Sequence, residues 1–186
     1  QYIRFAFDFR YFHYTKGENQ IATRLMLGAG IPYGNSNDMP FEKSFYAGGT
    51  NGMRGWQFRE LGPGTFSNPD KLNIERIGDI QLEFNLEYRF PIYSIFKGAV
   101  FTDIGNIWTM KENETFGGGQ FHFNTFYKQL AADAGIGLRL DISFLLFRLD
   151  VAAPMVNPAY PEGQRWRISK LQFNDFILNF GIGYPF

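Results

Sequence analysis

The chain has 186 residues, no Cys, and charges that cancel, 18 Lys+Arg against 18 Asp+Glu. Zero net charge excludes the basic stripe that nucleic-acid binding requires, and the absence of Cys removes disulfide scaffolds, thiolate zinc sites and cysteine nucleophiles together. Aromatics reach 19%, with Phe alone supplying 22 residues and Gly 21, yet no apolar run approaches the roughly 18 residues of a membrane-spanning helix and the mean hydropathy is −0.24.

Taken in chain order, the apolar residues recur with a period of two. Gln1-Tyr2-Ile3-Arg4 reads as structure and not as a signal peptide. From there Ile3, Phe5, Phe7, Phe9 and Tyr11 alternate with Arg4, Ala6, Asp8 and Arg10. Weaker alternation covers 21–31. The run from Gly78 to Ile92 is strict: apolar or aromatic side chains stand at 80, 82, 84, 86, 88 and 90, with Gln81, Glu83, Asn85, Glu87 and Arg89 between them. Further alternation lies at 96–108, 130–140 and 145–153. The final stretch sets Phe176, Leu178, Phe180, Ile182, Tyr184 and Phe186 against Ile177, Asn179, Gly181, Gly183 and Pro185. Period two marks a strand with two unlike faces. Seven strands are predicted, and no amphipathic helix.

Long alternating strands build either a soluble barrel or sandwich, apolar side inward, or a transmembrane barrel, apolar side outward. The polar face decides between them. It carries Arg24, Glu83, Glu87, Arg89, Asp103, Asp133, Arg139, Arg148 and Asp150, interspersed with Gly28, Gly30, Gly105, Gly135 and Gly137. A solvated outer face is usually rich in Lys and Thr instead. Tyr11, Tyr14, Tyr33, Tyr88, Tyr93, Trp108 and Tyr184 gather near strand ends, as interfacial girdles do. The fold class read from this pattern is all-β, an antiparallel transmembrane β-barrel. Connections alternate short and long, at 15–20, 33–77, 91–95, 109–128, 141–144 and 154–170. Short turns are periplasmic and long loops extracellular in outer-membrane barrels. Bacterial single-chain barrels have even strand numbers of at least eight, so seven strands suggest part of a larger barrel.

The 33–77 connection contains Phe45-Tyr46-Ala47-Gly48-Gly49-Thr50-Asn51-Gly52-Met53-Arg54-Gly55-Trp56. This resembles the (V/I/L)-R-G-(F/Y) loop of the BamA/TamA superfamily of outer-membrane assembly and translocation barrels, with that family's G-G-x-x-S stretch before it. Met53 replaces the usual branched residue, Gly52 the usual Ser, and Trp56 the usual Phe or Tyr. GDIQLEFNLEYRFPI resembles the family's next strand, with Glu87 at its lumenal glutamate. Phe101-Thr102-Asp103-Ile104-Gly105 resembles its F-x-D-x-G strand, and 135–141 with 147–154 its penultimate hairpin. The resemblance covers about residues 20–186. The Phe-rich style and RELGPG (Arg59 to Gly64) resemble the TamA-like lipoprotein branch of Bacteroidetes.

The resemblance implies that the loop folds into the lumen and that its Arg meets acidic residues of the next two strands. The residues support this independently. Gly52 and Gly55 flank Arg54, while Glu87 and Asp103 share the lumenal parity of neighbouring strands. A guanidinium can fork between carboxylates where an ammonium cannot. An Arg54–Asp103/Glu87 cluster is expected, with an Arg54 to Asp103 separation below about 8 Å. The last strand, with Ile182, Tyr184 and Phe186 on one face and Gly181 and Gly183 on the other, resembles the C-terminal assembly signal of such barrels. Its two Gly permit a kink.

Catalysis is not expected. His13 sits at a strand end, His122 lies in an aromatic loop, and neither neighbours a hydrolase pattern. Gly117-Gly118-Gly119 lacks the Lys-Ser/Thr of a phosphate loop, and no D-x-D-x-D-G calcium spacing occurs. No cofactor or metal is expected. The resemblance implies a barrel in the outer membrane of a Gram-negative bacterium, long loops outside and C-terminus in the periplasm. Residues 1–186 would be its C-terminal part, of bacterial surface antigen type, without N-terminal strands or periplasmic domains. Its partners would be outer-membrane lipids, client outer-membrane proteins, and periplasmic or inner-membrane assembly partners. A passive pore or two-partner secretion channel, and a barrel anchoring a fused effector, are the alternative functions.

Overall fold

The computed structural model describes residues 1–35, 39–68, 74–142 and 144–186. Parts of the 33–77 connection and one position of the 141–144 turn therefore lie outside the described residues. Among the described residues the regular structure is seven strands and a few short 3-10 turns. The strands are β1 (Tyr2–Tyr14), β2 (Gln20–Pro32), β3 (Ile80–Tyr93), β4 (Phe96–Trp108), β5 (Ala131–Ile142), β6 (Leu145–Val156) and β7 (Ile177–Ile182). They form one antiparallel sheet in the order β1-β2-β3-β4-β5-β6-β7. Each strand pairs with its sequence neighbours, as hairpin connections of either length allow. β1 to β6 run to 12–14 residues, longer than the roughly 9–11 that cross a bilayer at a tilt.

The two faces are inverted relative to a soluble sheet. Phe84, Leu86, Tyr88, Val100, Ile136, Leu138, Leu149, Leu178 and Phe180 are exposed, whereas Arg24, Glu83, Asn85, Glu87, Arg89, Asp103, Asp133, Arg139, Arg148 and Asp150 are buried. Polar side chains line the concave side and apolar ones the convex side, the arrangement of a barrel wall whose outer face meets hydrocarbon.

The register sorts the concave face into rows. Arg24 pairs with Asn85, Asn85 with Asp103, and Asp103 with Asp133. One pleat further, Ala22 pairs with Glu87, Glu87 with Phe101, and Phe101 with Gly135. The next row is Arg89, Ala99, Gly137, Asp150 and Asn179. Because side chains repeat every second residue, these rows bring groups far apart in sequence into one layer.

β1 and β7 are the sheet edges. β1 is exposed on both faces along nearly its whole length, while the re-entrant stretch Phe45 to Leu61 lies on the concave side of the other strands.

The end of β7 corrects the expected pattern. Regular pairing stops at Ile182, and Gly183 adopts φ +86°, a left-handed conformation that side chains with a Cβ rarely take. Its N–H still donates to the Leu146 carbonyl at 2.7 Å. Beyond it, Pro185 and Phe186 are buried. Phe186 is thus not part of the outward series to which period two assigns it, because a single left-handed residue breaks the alternation. Phe45, Phe101 and Phe116 are likewise buried.

An exposed Ile in mid-strand tests the inversion. Ile136→Arg is expected to destabilise the folded protein in vesicles by about 2–4 kcal/mol, the cost of a charge on a lipid face near the midplane. Denaturant titration measures it. A water-facing Ile136 would instead give a change within about 0.5 kcal/mol.

Candidate functional site: a loop arginine in the barrel lumen

The 33–77 connection enters the concave side on its own small scaffold. Phe45 bridges to Gly78 and Ala47 to Leu61. Phe45, Ala47, Met53, Trp56 and Leu61 then pack with Ile107 of β4 and Ala131 of β5 into an apolar cluster. Met53 and Trp56 therefore anchor the loop tip by burial. The tip closes through Gly49 N–H donating to Trp56 O at 2.9 Å and Trp56 N–H to Met53 O at 3.2 Å.

At that tip Arg54 is fully buried. Its Nε donates to Asp103 Oδ2 at 2.8 Å and its Nη2 to Asp103 Oδ1 at 2.9 Å, a two-pronged contact. Its Nη1 donates to Glu87 Oε2 at 2.5 Å, and Asp150 lies 3.7 Å from the same nitrogen. The guanidinium carbon stands 3.4 Å from the centroid of the Phe101 ring. A planar cation can stack on a ring and fork to carboxylates at once; an ammonium cannot. Phe101 and Asp103 come from alternate positions of β4 and Glu87 from β3, so ring and carboxylates sit in adjacent rows.

The rest of the tip is bonded to strand after strand. Arg24 of β2 donates to Asn51 O at 2.9 Å, and Asn85 of β3 to Gly52 O at 3.1 Å. Gly55 N–H donates to Asp133 Oδ2 of β5 at 2.9 Å. Arg148 of β6 donates to Thr50 O at 2.9 Å and to Asn51 Oδ1 at 2.8 Å. Asn179 of β7 donates to Arg54 O at 2.9 Å. With Asp103 of β4, one short segment holds β2 through β7. Gly55 is required by space: a Cβ there would lie 2.5 Å from that of Asp133.

Around Arg54 the lumenal charges form one network. Arg89 and Arg139 both donate to Glu87 Oε1, at 2.8 and 3.1 Å, and Arg139 also bonds Asp150. Arg24 forks onto Asp8 of β1 at 3.0 and 2.9 Å. Each of these cations is an arginine, which bonds several partners from one rigid plane. Gly105 faces Glu83 across the β3–β4 pair, and Gly181 lies against Arg148. Tyr184 lies beneath Arg89, whose guanidinium carbon is 4.0 Å from its ring centroid. Ile182 remains outward and exposed. His13 pairs with Ile21 on β2, and His122 is exposed in the 109–128 connection.

Sequence reasoning named Arg54, Glu87 and Asp103, and the structure brings all three within bonding distance. It missed Asn85, Asn179, Asp133 and Arg148 as partners of the loop. Their shared parity was visible, but the register that aligns them was not.

Removing Arg54 leaves the buried Asp103 without its paired cation and takes one of three cations from Glu87. Arg54→Ala is expected to cost about 3–5 kcal/mol. Arg54→Lys, which retains charge without the fork, is expected to recover only part of it. Asn179→Ala should cost about 0.5–1.5 kcal/mol, one hydrogen bond. Loss of heat-modifiable electrophoretic mobility with rising temperature reads all three.

Comparison with known proteins agrees with this geometry. Outer membrane protein assembly factor BamA of Neisseria meningitidis serogroup B is 27% identical over 133 residues, 60% of this chain and 17% of that protein. The crystal structure of BamA from Haemophilus ducreyi lacking POTRA domains 1–3 superposes with a TM-score of 0.66 at 19% identity, covering 98% of this chain and 34% of that one. The chain thus spans about a third of that structure and has its fold, an open sheet that fits part of a BamA-type barrel. Residues 1–186 match the Omp85 superfamily domain. A seven-stranded wall with a polar concave face, a re-entrant arginine loop and this match along its whole length make the chain a member of the Omp85 superfamily.

Proposed function

We propose that this chain is the C-terminal part of a larger outer-membrane barrel that inserts or exports client outer-membrane proteins. The observation that carries the reading is the inserted loop. Its tip occupies the concave side and bonds β2 through β7, which suits a barrel held in one state by an internal strut better than an open pore. Superfamily membership and likeness to a protein named an outer-membrane assembly factor support it. In this reading the long connections are extracellular and the short turns and C-terminus periplasmic. Outer-membrane lipids surround the convex face, and periplasmic or inner-membrane partners deliver clients.

The work assigned here is mechanical and involves no bond chemistry. β7 pairs over six residues where β1 offers thirteen, so a seam involving β7 is labile and can take a client strand by edge pairing. Arg54 would act as a loop lock that keeps the wall in register while the seam works, with Gly55, Trp56, Met53, Glu87 and Asp103 as its seat.

Insertion of an unfolded barrel client into vesicles carrying the full-length protein tests the proposal. Wild type should accelerate client folding, and Arg54→Ala should abolish most of that acceleration. Conductance distinguishes the alternative: a large, steady single-channel current in wild type would identify a pore and overturn the assembly reading.

A further inference from the structure

Glu87 is shared by three arginines, two of which, Arg54 and Arg89, also hold other parts of the chain. Its Oε2 takes Arg54 Nη1 of the inserted loop at 2.5 Å, and its Oε1 takes Arg89 Nε at 2.8 Å. Arg89 in turn reaches the segment after β7. Its Nη2 donates to the Phe186 main-chain oxygen at 3.3 Å, and its guanidinium carbon lies 4.0 Å from the Tyr184 centroid and 5.6 Å from that of Phe186. Its remaining Nη1 donates to Gln20 Oε1 at 2.8 Å. Arg89 and Phe186 are both buried. The turn at Gly183 is therefore the start of a tail that crosses from β7 to β3 under the lumen and docks on one arginine.

We propose that Arg89 is a positioning residue that latches the segment 183–186 inside the barrel and, through Glu87, couples that latch to the docking of the Arg54 loop. Among the described residues β7 has one sheet neighbour, β6, and pairs with it over a short span. Two hooks add to that hold. Asn179 donates to Arg54 O, and Arg89 takes the tail. Both hooks lead to Glu87, one through Arg54 and one directly. Withdrawal of the loop leaves Glu87 with Arg89 and Arg139 alone. Arg89 then shifts toward the freed oxygen and loosens the tail. Release of the tail conversely frees Arg89 to compete with Arg54 for the carboxylate. Coupling of this kind is reciprocal. It makes β7 firmest when the loop is seated and loosest when the loop is withdrawn.

This inference rests on the lumenal placement of the loop and not on client handling, so it is tested without a client. The chain has no Cys, which allows single reporters in the full-length protein purified in neutral detergent. Pro185→Cys reports the tail, which is buried at that position, and Thr50→Cys reports the loop. Thiol-labelling rates are compared in folded, heat-modifiable protein. Arg89→Gln should raise labelling at position 185 about tenfold, the loss of a charge-assisted bond, and raise it at position 50 severalfold. Arg54→Lys, at the other end, should raise labelling at 185. Arg89→Lys should restore part of the protection, and Arg165→Gln, whose side chain bonds the Tyr160 and Lys128 carbonyls away from both reporters, should change neither rate. Tyr184→Leu removes the ring beneath Arg89 without stranding a charge. It should raise labelling at 185 even if Arg89→Gln fails to fold. Unchanged labelling at 185 in both Arg89→Gln and Tyr184→Leu would overturn the latch. Release of 185 with position 50 unaffected, together with full protection of 185 in Arg54→Lys, would overturn the coupling. A failure of the full-length protein to accelerate client insertion, with the expected labelling changes observed, would count against the assembly reading alone.

Discussion

The rest of this structure depends on a guanidinium with no access to water. A buried charge survives only if its field is answered by partners in place, since the penalty for an unpaired ion in a poorly polarisable interior is several kcal/mol. Arg54 is answered by the fork onto Asp103, the contact with Glu87 and the face of Phe101. Those groups lie on two strands and in two rows of one face, so they meet the same side chain only if β3 and β4 are in this register and no other. A slip of one residue in either strand would turn that strand's partners outward. The arginine is therefore a statement about strand register as much as about the loop.

The inversion of the faces makes that demand affordable. In a soluble sheet the concave side would be filled by apolar side chains, which pack in many ways. Here the outer face carries the apolar residues, and the interior is filled by a segment of the chain itself together with a network of arginines and carboxylates. The network satisfies itself through sharing: Glu87 serves Arg54, Arg89 and Arg139. Sharing also makes the arrangement cooperative, because no one cation can leave without altering what the others must do.

The two edges of the sheet are unequal in the same terms. β1 is long and exposed on both sides, tied to the interior by the Asp8–Arg24 fork. β7 is short, but Asn179 and the tail beyond Gly183 hook it to the lumen. The wall is thus strutted by a loop from within and has one lightly paired edge.

Much of this was legible in the residues. Side-chain parity is a local property, so strict alternation at 78–92 became β3, and 96–108 became β4 with the same bounds. The Arg/Asp/Gly composition of one face identified the lumen because charge cannot face hydrocarbon cheaply. The loop motif with two acidic strands after it pointed to Arg54, Glu87 and Asp103. What the sequence could not supply was register and path. Asn85, Asp133, Arg148 and Asn179 stood at the right parity, but only strand pairing put them beside the loop. The last strand's two Gly allowed a kink, but only the folded chain showed that Gly183 turns the end inward toward Arg89. The difference is physical. The face a residue occupies follows from its immediate neighbours, whereas the partners it meets depend on contacts between strands distant in sequence.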